Sequence, residues 1–183
     1  MTKTIVSALM AVVLLTLLLG VAYPLAITGI SQVAFGEKAD GDPSLVASKP
    51  RGKRYFIPRP SATGWSTEAT FFANRGPNQA SARDFYADEL AKYLERERPY
   101  SPGLVAADVP VDAVTTSGSG VDPHISRDNA RIQGRRLAKL RGLTSKRVDE
   151  LIDAHTDGRF LGLLGEPGVN VTELNQALDS EAR

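Results

Sequence analysis

The chain begins with a long run of apolar positions. No charged residue occurs between Lys3 and Glu37, and residues 5–23 are almost wholly Leu, Val, Ala and Ile. At a rise of about 1.5 Å per residue, a helix over this run is close to the roughly 30 Å of a bilayer's hydrocarbon core. A helix also satisfies its own backbone hydrogen bonds, as lipid requires. The pattern predicts one transmembrane helix within residues 1–36. Its membrane-anchor residues are Ile5, Leu14, Leu18 and Tyr23.

Two other interpretations of this run are weighed against the anchor. A buried core helix rarely runs so long without a polar face. A cleaved signal peptide would use Lys3 as its basic start, but its apolar region would be long. It would also lack a small-x-small cleavage site, because Tyr23 and Pro24 interrupt the segment that ends it. We therefore expect the run to stay as a permanent anchor, with Pro24 and Gly29 loosening its end.

Helical periodicity returns at Ser81, well after the anchor. Ser81 is expected to cap this helix together with Asp84 three residues later. Pro99 excludes Arg98 from the α region and should stop the helix. The expected packing face is Tyr86, Leu90, Tyr93 and Leu94.

Three more helices are predicted in the C-terminal half. Ser126 is expected to cap the first, which should end at Gly142. Thr144 or Ser145 should begin the second, and Asn170 or Thr172 the last. The first carries a basic stripe and the second an acidic one, so we expect the two to pair. These stripes are Arg127, Arg131, Arg135 and Lys139 on the first helix and Asp149, Asp153 and Asp157 on the second.

The evidence for strands is weaker. Val109, Val111 and Ala113 alternate as in a short strand, which Pro110 would confine to a sheet edge. Trp65, the only tryptophan, is expected to be a core anchor rather than a ligand platform. The pattern predicts an α+β protein: a transmembrane anchor over residues 1–36, a linker over 37–57, and one mixed helix and short-sheet soluble domain over 58–183.

Composition and charge limit the classes of function. Beyond Lys3 the acidic and basic residues balance, so there is no global attraction to nucleic acid or anionic lipid. With no cysteine, disulfide and thiolate chemistry are excluded. Acidic residues just after the apolar run favour an extracytoplasmic domain. A basic cluster at residues 49–59 opposes this only at the limit of the positive-inside rule, and it is interpreted as a solvated linker or a headgroup contact.

No self-sufficient catalytic site is indicated. Residues 116–120 read TSGSG and lack the first glycine of a nucleophile elbow. Asp122, His124 and His155 could be imagined as metal ligands, but structural histidines fit a turn and an apolar helix face better, so we expect no metal. The glycines at 162, 165 and 168 do not have the spacing of a phosphate-binding loop. We expect no enzyme activity from this chain by itself.

The helix pair over residues 127–156 suggests one further alternative, a helix-turn-helix. Its second helix would enter a DNA groove, but that helix is expected to carry acidic residues that phosphates repel, namely Asp149, Glu150, Asp153 and Asp157. We therefore expect no nucleic-acid partner.

Several longer runs resemble one known family. They are VPVDAVTTSGSGVDPHIS at residues 109–126, RLAKLRGL at 136–143 and HTDGRFLGLLGEPGVNVTELNQALD at 155–179, with PRPSA at 58–62 and GPN at 76–78 in the same order. Together with the N-terminal helix they closely resemble the KdpC family, the C subunits of the bacterial Kdp potassium-transporting P-type ATPase. The likeness covers nearly the whole chain.

The resemblance implies an accessory, non-catalytic subunit in the inner (plasma) membrane. Its implied partners are a P-type ATPase subunit, a channel-like potassium-binding subunit and membrane lipid. It also implies a catalytic chaperone that raises the ATP affinity of the ATPase subunit, so ATP is a candidate cofactor bound chiefly by that partner. An extracytoplasmic domain could affect cytoplasmic ATP only through the membrane subunits.

The same resemblance points to candidate nucleotide-binding residues. Gln133 matches a family glutamine; its alternative role is that of an exposed polar helix residue. A glycine-containing loop also matches, for which a structural turn is the alternative. The loop residues are Ser117, Gly118, Ser119, Gly120, Asp122 and His124.

The sequence departs from the family pattern at residues 41–54 and 69–75, so docking onto partner subunits is expected to differ there. The alternative function is a free-standing, membrane-anchored binding module unrelated to transport, either a helix-turn-helix or a ligand-binding domain. Such a module would be stable and active without an ATPase partner.

Overall fold

The computed structural model describes residues 2–71 and 73–181 and divides the chain into two units, Met1–Pro43 and Ser44–Arg183. Met1 of the predicted anchor lies outside the described residues, as do Ala182 and Arg183 of the predicted soluble domain. Phe72, in the segment 69–75 that departs from the family pattern, also lies outside them. The first unit is dominated by one helical stretch, Thr2–Phe35, which is long and apolar enough to cross a membrane. Its predicted anchor residues are exposed: Ile5, Leu14, Leu18 and Tyr23.

This stretch is not a uniform α-helix. Helix α1 (Thr2–Leu17) leads into a π-helical turn (Leu18–Ala22), and α2 (Tyr23–Phe35) follows. At the turn the Tyr23 amide bonds to the Leu18 carbonyl, five residues back. Pro24 has no N–H to continue the usual pattern of hydrogen bonds, and a local π adjustment is one way in which membrane helices accommodate such a break. The helix thus passes Pro24 and ends at Gly36, which has φ +47°.

The second unit contains the remaining helices and all of the strands in the described part. Its helices are α3 (Ala80–Glu97), α4 (Arg127–Arg141), α5 (Ser145–Ala154) and α6 (Val171–Glu181). Its strands are β1 (His124–Ile125), β2 (Thr156–Asp157) and β3 (Gly168–Asn170), in antiparallel order β1-β3-β2. The register pairs Ile125 and Thr156 with Val169. The predicted α+β class is confirmed.

The main core lies between this small sheet and three helices. Val169 from β3 is fully buried with Leu137 of α4, Ile152 of α5 and Leu174 of α6. Phe56 joins the same cluster. The compact unit therefore takes in residues 44–57, where the sequence analysis places a linker. The difference arises because Phe56 packs into the core and its backbone amide and carbonyl both bond to the Asn175 side chain.

Helices α4 and α5 pack together as their opposite charge predicts. Gly134 allows the close approach, since a Cβ at this position would lie 3.0 Å from Val148. Arg127 of α4 pairs with Asp153 of α5. Only this outer pair links the two stripes among the described ion pairs, so the apolar contact carries most of the packing.

Local end signals are confirmed for these helices. Ser126 accepts a hydrogen bond from the Asn129 amide, and Thr144 accepts one from the Arg147 amide. Gly142 adopts the left-handed conformation, with φ +71°. Asn170 caps α6 by accepting from the Thr172 and Glu173 amides.

Two predictions about helix ends are wrong. Arg98 keeps the helical conformation, with φ −54° and ψ −39°, although Pro99 follows it. Helix α5 ends at Ala154, so Asp157 lies in β2 and not on the acidic stripe of the helix.

Three other local predictions are also wrong. Helix α3 begins at Ala80 and follows Gln79, so Ser81 lies within its first turn and does not cap it. Residues Val111–Ala113 form a 3₁₀ turn instead of a strand, because Asp112 there turns inward and accepts bonds from Ser126. Trp65 is half-buried, with φ +61°, and is not part of the core.

The end of α6 is held by surface charges. Burial acts to raise the pKa of Asp179, but hydrogen bonds from Tyr55, Arg141 and Arg51 outweigh it and lower the pKa below its ordinary value. The pKa of Glu181 is lowered by its hydrogen bonds with Arg147. The two carboxylates thus form ion pairs that link α6 to α4, through Arg141, and to α5, through Arg147.

Candidate functional site

Helix α4 carries the residues from which the candidate site is built. Its outward face presents the exposed Arg131, Arg135 and Lys139, as the basic stripe predicts. Its inward face is unusually polar, because Asn129, Gln133 and Arg136 are almost completely buried among apolar residues. Buried polar groups of this kind are stable only when their hydrogen bonds are made, so each must have a partner.

Gln133 lies inside the domain and its amide is fully engaged. Its Oε1 accepts from the Ile57 amide at 2.8 Å and from Arg136 at 3.2 Å. Its Nε2 donates to the Ile57 carbonyl and to Asn129 Oδ1, each at 3.0 Å. The alternative expectation of an exposed polar residue is therefore wrong. Nucleotide contact by Gln133 stays a prediction, and such a contact would have to compete with these four bonds.

The Gln133 side chain forms hydrogen bonds with the backbone of segment 56–57 of the kind that a neighbouring strand would form. Both of its Ile57 contacts are to backbone atoms, so the amide side chain supplies the donor and acceptor that a neighbouring strand would supply. Segment 56–57 thereby gains backbone hydrogen bonds without joining the sheet. Asn175 of α6 does the same for Phe56.

Next to Gln133 lies a fully buried ion pair. Arg136 and Glu97 are both at 0% exposure, and Arg136 Nε is 3.1 Å from each Glu97 oxygen. The remaining Arg136 donors reach the carbonyls of Lys53 and Tyr55. Burial lowers the pKa of Arg136, an effect that the Glu97 carboxylate opposes. The pair ties α3, α4 and the segment after the first unit together.

The polar network continues from Gln133 to the loop before β1. Asn129 accepts from the Tyr93 hydroxyl at 2.9 Å and donates to Asp112 at 2.9 Å. Asp112 in turn accepts from the amide and hydroxyl of Ser126, the cap of α4. Burial raises the pKa of Tyr93, and the nearby Glu97 charge raises it further, so Tyr93 stays a neutral donor.

The glycine-containing loop is clasped by the segment that contains PRPSA. The Ser117 amide donates to the Pro60 carbonyl at 3.1 Å, and the Ser61 hydroxyl donates to the Gly120 carbonyl at 2.6 Å. Gly120 has φ +78°, and a Cβ there would lie 2.8 Å from Thr63. Glycine is therefore required at this position for both backbone and steric reasons. Ser117 and Gly120 are buried, whereas Gly118 and Ser119 are exposed.

Asp122 and His124 close the same loop. Asp122 Oδ1 accepts from the His124 amide, forming a turn, and its other oxygen pairs with Arg59 at 3.4 Å. His124 Nε2 lies 2.8 Å from Asp157, which links the ends of β1 and β2. His155 instead bonds through Nδ1 to the Leu151 carbonyl. Within residues 2–71 and 73–181, no group of three or more His, Asp or Glu side chains is arranged to hold a metal ion.

A cleft of about 250 Å³ opens beside the network. This volume is below the range of about 300–1,000 Å³ usual for small-molecule sites. The predicted loop residues 117–124 do not line it, so Gln133 and the loop do not share this cleft. Its walls are Pro50, Ile57, Pro58, Pro60, Trp65, Glu89, Tyr93, Arg96, Ala113, Asn129 and Gln133.

Sequence reasoning missed the Glu97–Arg136 pair and the inward role of Asp112. The only local signal is the position of Arg136 on α4. Arg136 lies outside the basic stripe and on the side of the helix that carries Leu137 and the other apolar residues. A charged residue on an apolar face predicts a buried partner. Nothing local identifies that partner as Glu97, because the two residues are far apart in the sequence and meet only through tertiary packing.

The chain is similar to proteins of one family over nearly all of its length. The family model described as "KdpC: K+-transporting ATPase, c chain" matches residues 5–180. Proteins named "Potassium-transporting ATPase KdpC subunit" align with it from several bacteria. That of Rhodospirillum rubrum is 42% identical, over 98% of this chain and 96% of its own. Those of Cereibacter sphaeroides and Mycobacterium tuberculosis are 42% and 39% identical, over 94% and 98% of this chain and 95% and 99% of theirs.

Proposed function

Because the chain belongs to the KdpC family, we propose that it is an accessory, non-catalytic subunit of an ATP-driven potassium-import complex. The observation that carries this proposal is the match along residues 5–180, which includes both the apolar helix and the domain. The other function, a free-standing binding module, has no comparable support. Its helix-turn-helix form is also opposed by the acidic outer face of α5, where Asp149, Glu150 and Asp153 are exposed.

The proposed anchor is the helix Thr2–Phe35, which would span the inner membrane once. The large apolar side chains of this helix are exposed. Lipid or membrane-embedded partner subunits would supply the apolar surroundings that it needs. The domain is proposed to lie outside the cytoplasm, with the acidic flank after the helix as support. A reporter fused after Arg183 tests this: activity only in the cytoplasm contradicts the orientation.

We further propose that the domain stabilises the assembly and raises the ATP affinity of the ATPase subunit indirectly, by binding one conformation of its partners better than another. The engaged amide of Gln133 and the small cleft beside it support an indirect effect. So does the clasped loop, where Ser117 is buried. In this role the polar network keeps the domain rigid, which a surface that selects between partner conformations requires.

The nucleotide question is tested on the full chain in detergent. We expect no saturable ATP binding by the chain alone. Saturable binding that Gln133→Ala abolishes, in a variant whose melting temperature shows that it is folded, would favour the direct contact that the resemblance implies. Gln176→Ala, which changes an exposed glutamine, is the matched control.

The main test of the proposed function is a pull-down of the tagged chain from cells grown under potassium limitation. We expect mass spectrometry of the detergent eluate to identify a P-type ATPase subunit and a channel-like subunit in comparable amounts. Recovery of the chain without either subunit, under conditions in which both are expressed, contradicts the proposal and supports a free-standing module.

A further inference from the structure

The connection between β2 and β3 exposes a dense group of large apolar side chains. Phe160, Leu161, Leu163 and Leu164 are 69%, 78%, 80% and 62% exposed. Elsewhere in the described part of the second unit, exposed large apolar residues occur singly, as at Val105 and Val111. Single exposed residues are normal, but a contiguous apolar group indicates an interaction surface. We call residues 160–164 the apolar loop.

The apolar loop has a defined shape. Phe160 and Leu164 exchange backbone hydrogen bonds of 2.8 and 3.0 Å, and the Gly162 amide donates to the Arg159 carbonyl at 3.0 Å. Leu161 has φ +53°, a conformation that a leucine rarely adopts. Strained conformations of this kind are found at binding sites, where the surroundings hold them in place.

The turn thus keeps these apolar side chains exposed to solvent. In a relaxed loop, the same side chains could pack back against the domain. A fixed arrangement of this kind suits a shaped protein pocket, because little ordering is needed on binding. Lipid is fluid and would not require it.

The charges around the apolar loop also disfavour a lipid surface. Residues 157–167 contain no lysine and one arginine, Arg159, which contacts both oxygens of Glu166 at 3.0 Å. Glu166 and Asp157 are 83% and 71% exposed. Surfaces that lie in a membrane interface usually carry unpaired Lys or Arg to meet lipid phosphates. With Asp157, Arg159 and Glu166, residues 157–167 carry a net charge of −1, so the rim is weakly acidic and better suits a basic rim on a protein than anionic lipid.

We propose that the apolar loop docks into an apolar pocket with a basic rim on the extracytoplasmic face of a membrane-embedded partner subunit. This inference rests on the proposed function, since it requires such a partner. Residues 36–43 connect the end of α2 to the compact domain, and a chain of this length reaches at most about 28 Å, so a partner subunit in the same membrane would be within reach.

The first experiment repeats the pull-down with the full chain carrying Leu163→Asp. We expect recovery of the partner subunits to fall at least about tenfold, because an anchor residue buried in a pocket dominates such an interface. Leu161→Asn is the second variant, because asparagine tolerates the left-handed conformation and should keep the turn intact. Val111→Asp, at an equally exposed apolar position of the same domain, is the control and should leave recovery unchanged.

The outcomes separate the inference from the proposed function. If the wild-type chain recovers no partner subunit, the proposed function fails. If the wild type and both loop variants recover the partners equally, the proposed function stands and the docking inference is overturned. Melting temperatures of the variants equal to that of the wild type would show that a lost partner reflects the loop itself and not misfolding.

A second experiment distinguishes a protein pocket from lipid. The chain has no cysteine, so Leu163→Cys gives a single reactive site. With a short photo-crosslinker at this position, the assembled complex should give a crosslink to a partner subunit, whereas Val111→Cys should give none. Crosslinks to lipid alone would contradict the proposal in favour of membrane insertion.

Discussion

Removal of the Arg136 side chain should be among the most damaging single changes in the domain. Arg136→Met keeps much of the apolar stem but deletes every donor of the guanidinium. Glu97 then remains at 0% exposure without its main partner, and the carbonyls of Lys53 and Tyr55 lose theirs. Loss of one partner of a buried ion pair costs about 3–5 kcal/mol, because the other charge stays desolvated.

The structure places this cost near the lower end of the range. Arg96 Nε is 2.8 Å from Glu97 Oε1 and stays in place to compensate part of the charge. We therefore expect a loss of about 3 kcal/mol in the free energy of unfolding, within a total of roughly 5–15 kcal/mol. For a domain of this size, that corresponds to a fall of about 10 °C in melting temperature.

The assay can use a built-in probe. Trp65 is the only tryptophan, and its indole donates to the Arg59 carbonyl at 3.3 Å, so its fluorescence should report unfolding of the domain. The full chain in detergent is unfolded by heat and by urea. Lys139→Met is the matched control, because Lys139 is exposed on the same helix and its loss should change stability by less than about 0.5 kcal/mol.

A double-mutant cycle with Glu97→Met tests the reasoning itself. Replacement of both charges by apolar residues removes the unpaired carboxylate, so the double variant should be less destabilised than the sum of the two single variants. If Arg136→Met is no worse than Lys139→Met, or if the two single effects simply add, then the pair does not hold the domain together in the way described.

Three further predictions concern the loop and the last helix. Gly120→Ala should lower the free energy of unfolding by more than about 1 kcal/mol, because of its positive φ and the contact with Thr63, whereas Gly118→Ala should have little effect in the same urea titration. Asn170→Ala should cost about 1–2 kcal/mol by removing the cap of α6, seen as a lower thermal midpoint; an unchanged midpoint would contradict the capping role. Asp179 has a lowered pKa, so its contribution is present at neutral pH and is lost as the pH falls through the folded pKa. Asp179→Asn should therefore be less stable than the wild type at pH 7, by under about 1 kcal/mol, and the difference should shrink as the pH falls below 3.8, the ordinary pKa of this carboxyl; a difference that grows at acidic pH would contradict the prediction.

Features set by neighbouring residues were predictable from the sequence. The apolar helix follows from composition alone, and the ends of α4 and α5 follow from Ser126, Gly142 and Thr144, whose roles depend on their own backbone. The helix pairing was also predictable in outline, because opposite charge and matching apolar faces occur in consecutive segments. Each of these inferences uses residues that lie close together in the sequence.

Features that depend on distant contacts were not predictable. Segment 44–57 looks like a linker because its basic, Pro- and Gly-containing sequence has no periodicity, yet Phe56 inserts into the core and Gln133 bonds to the Ile57 backbone. Likewise, Gln133 and Glu97 look like surface residues in their helices, and only tertiary packing buries them. The alternation at residues 109–113 was misleading because Asp112 bonds to Ser126 and Asn129, which stabilises a turn.

Potassium-stimulated ATP hydrolysis tests the central claim most directly. The ATPase and channel-like subunits would be purified from cells with and without this chain, and hydrolysis measured across a range of ATP concentrations. An accessory subunit that stabilises the complex and raises its ATP affinity predicts that the preparation without the chain loses activity or needs more ATP for half-maximal hydrolysis, and that added chain reverses the change. Equal activity with equal ATP dependence in the two preparations would contradict the account.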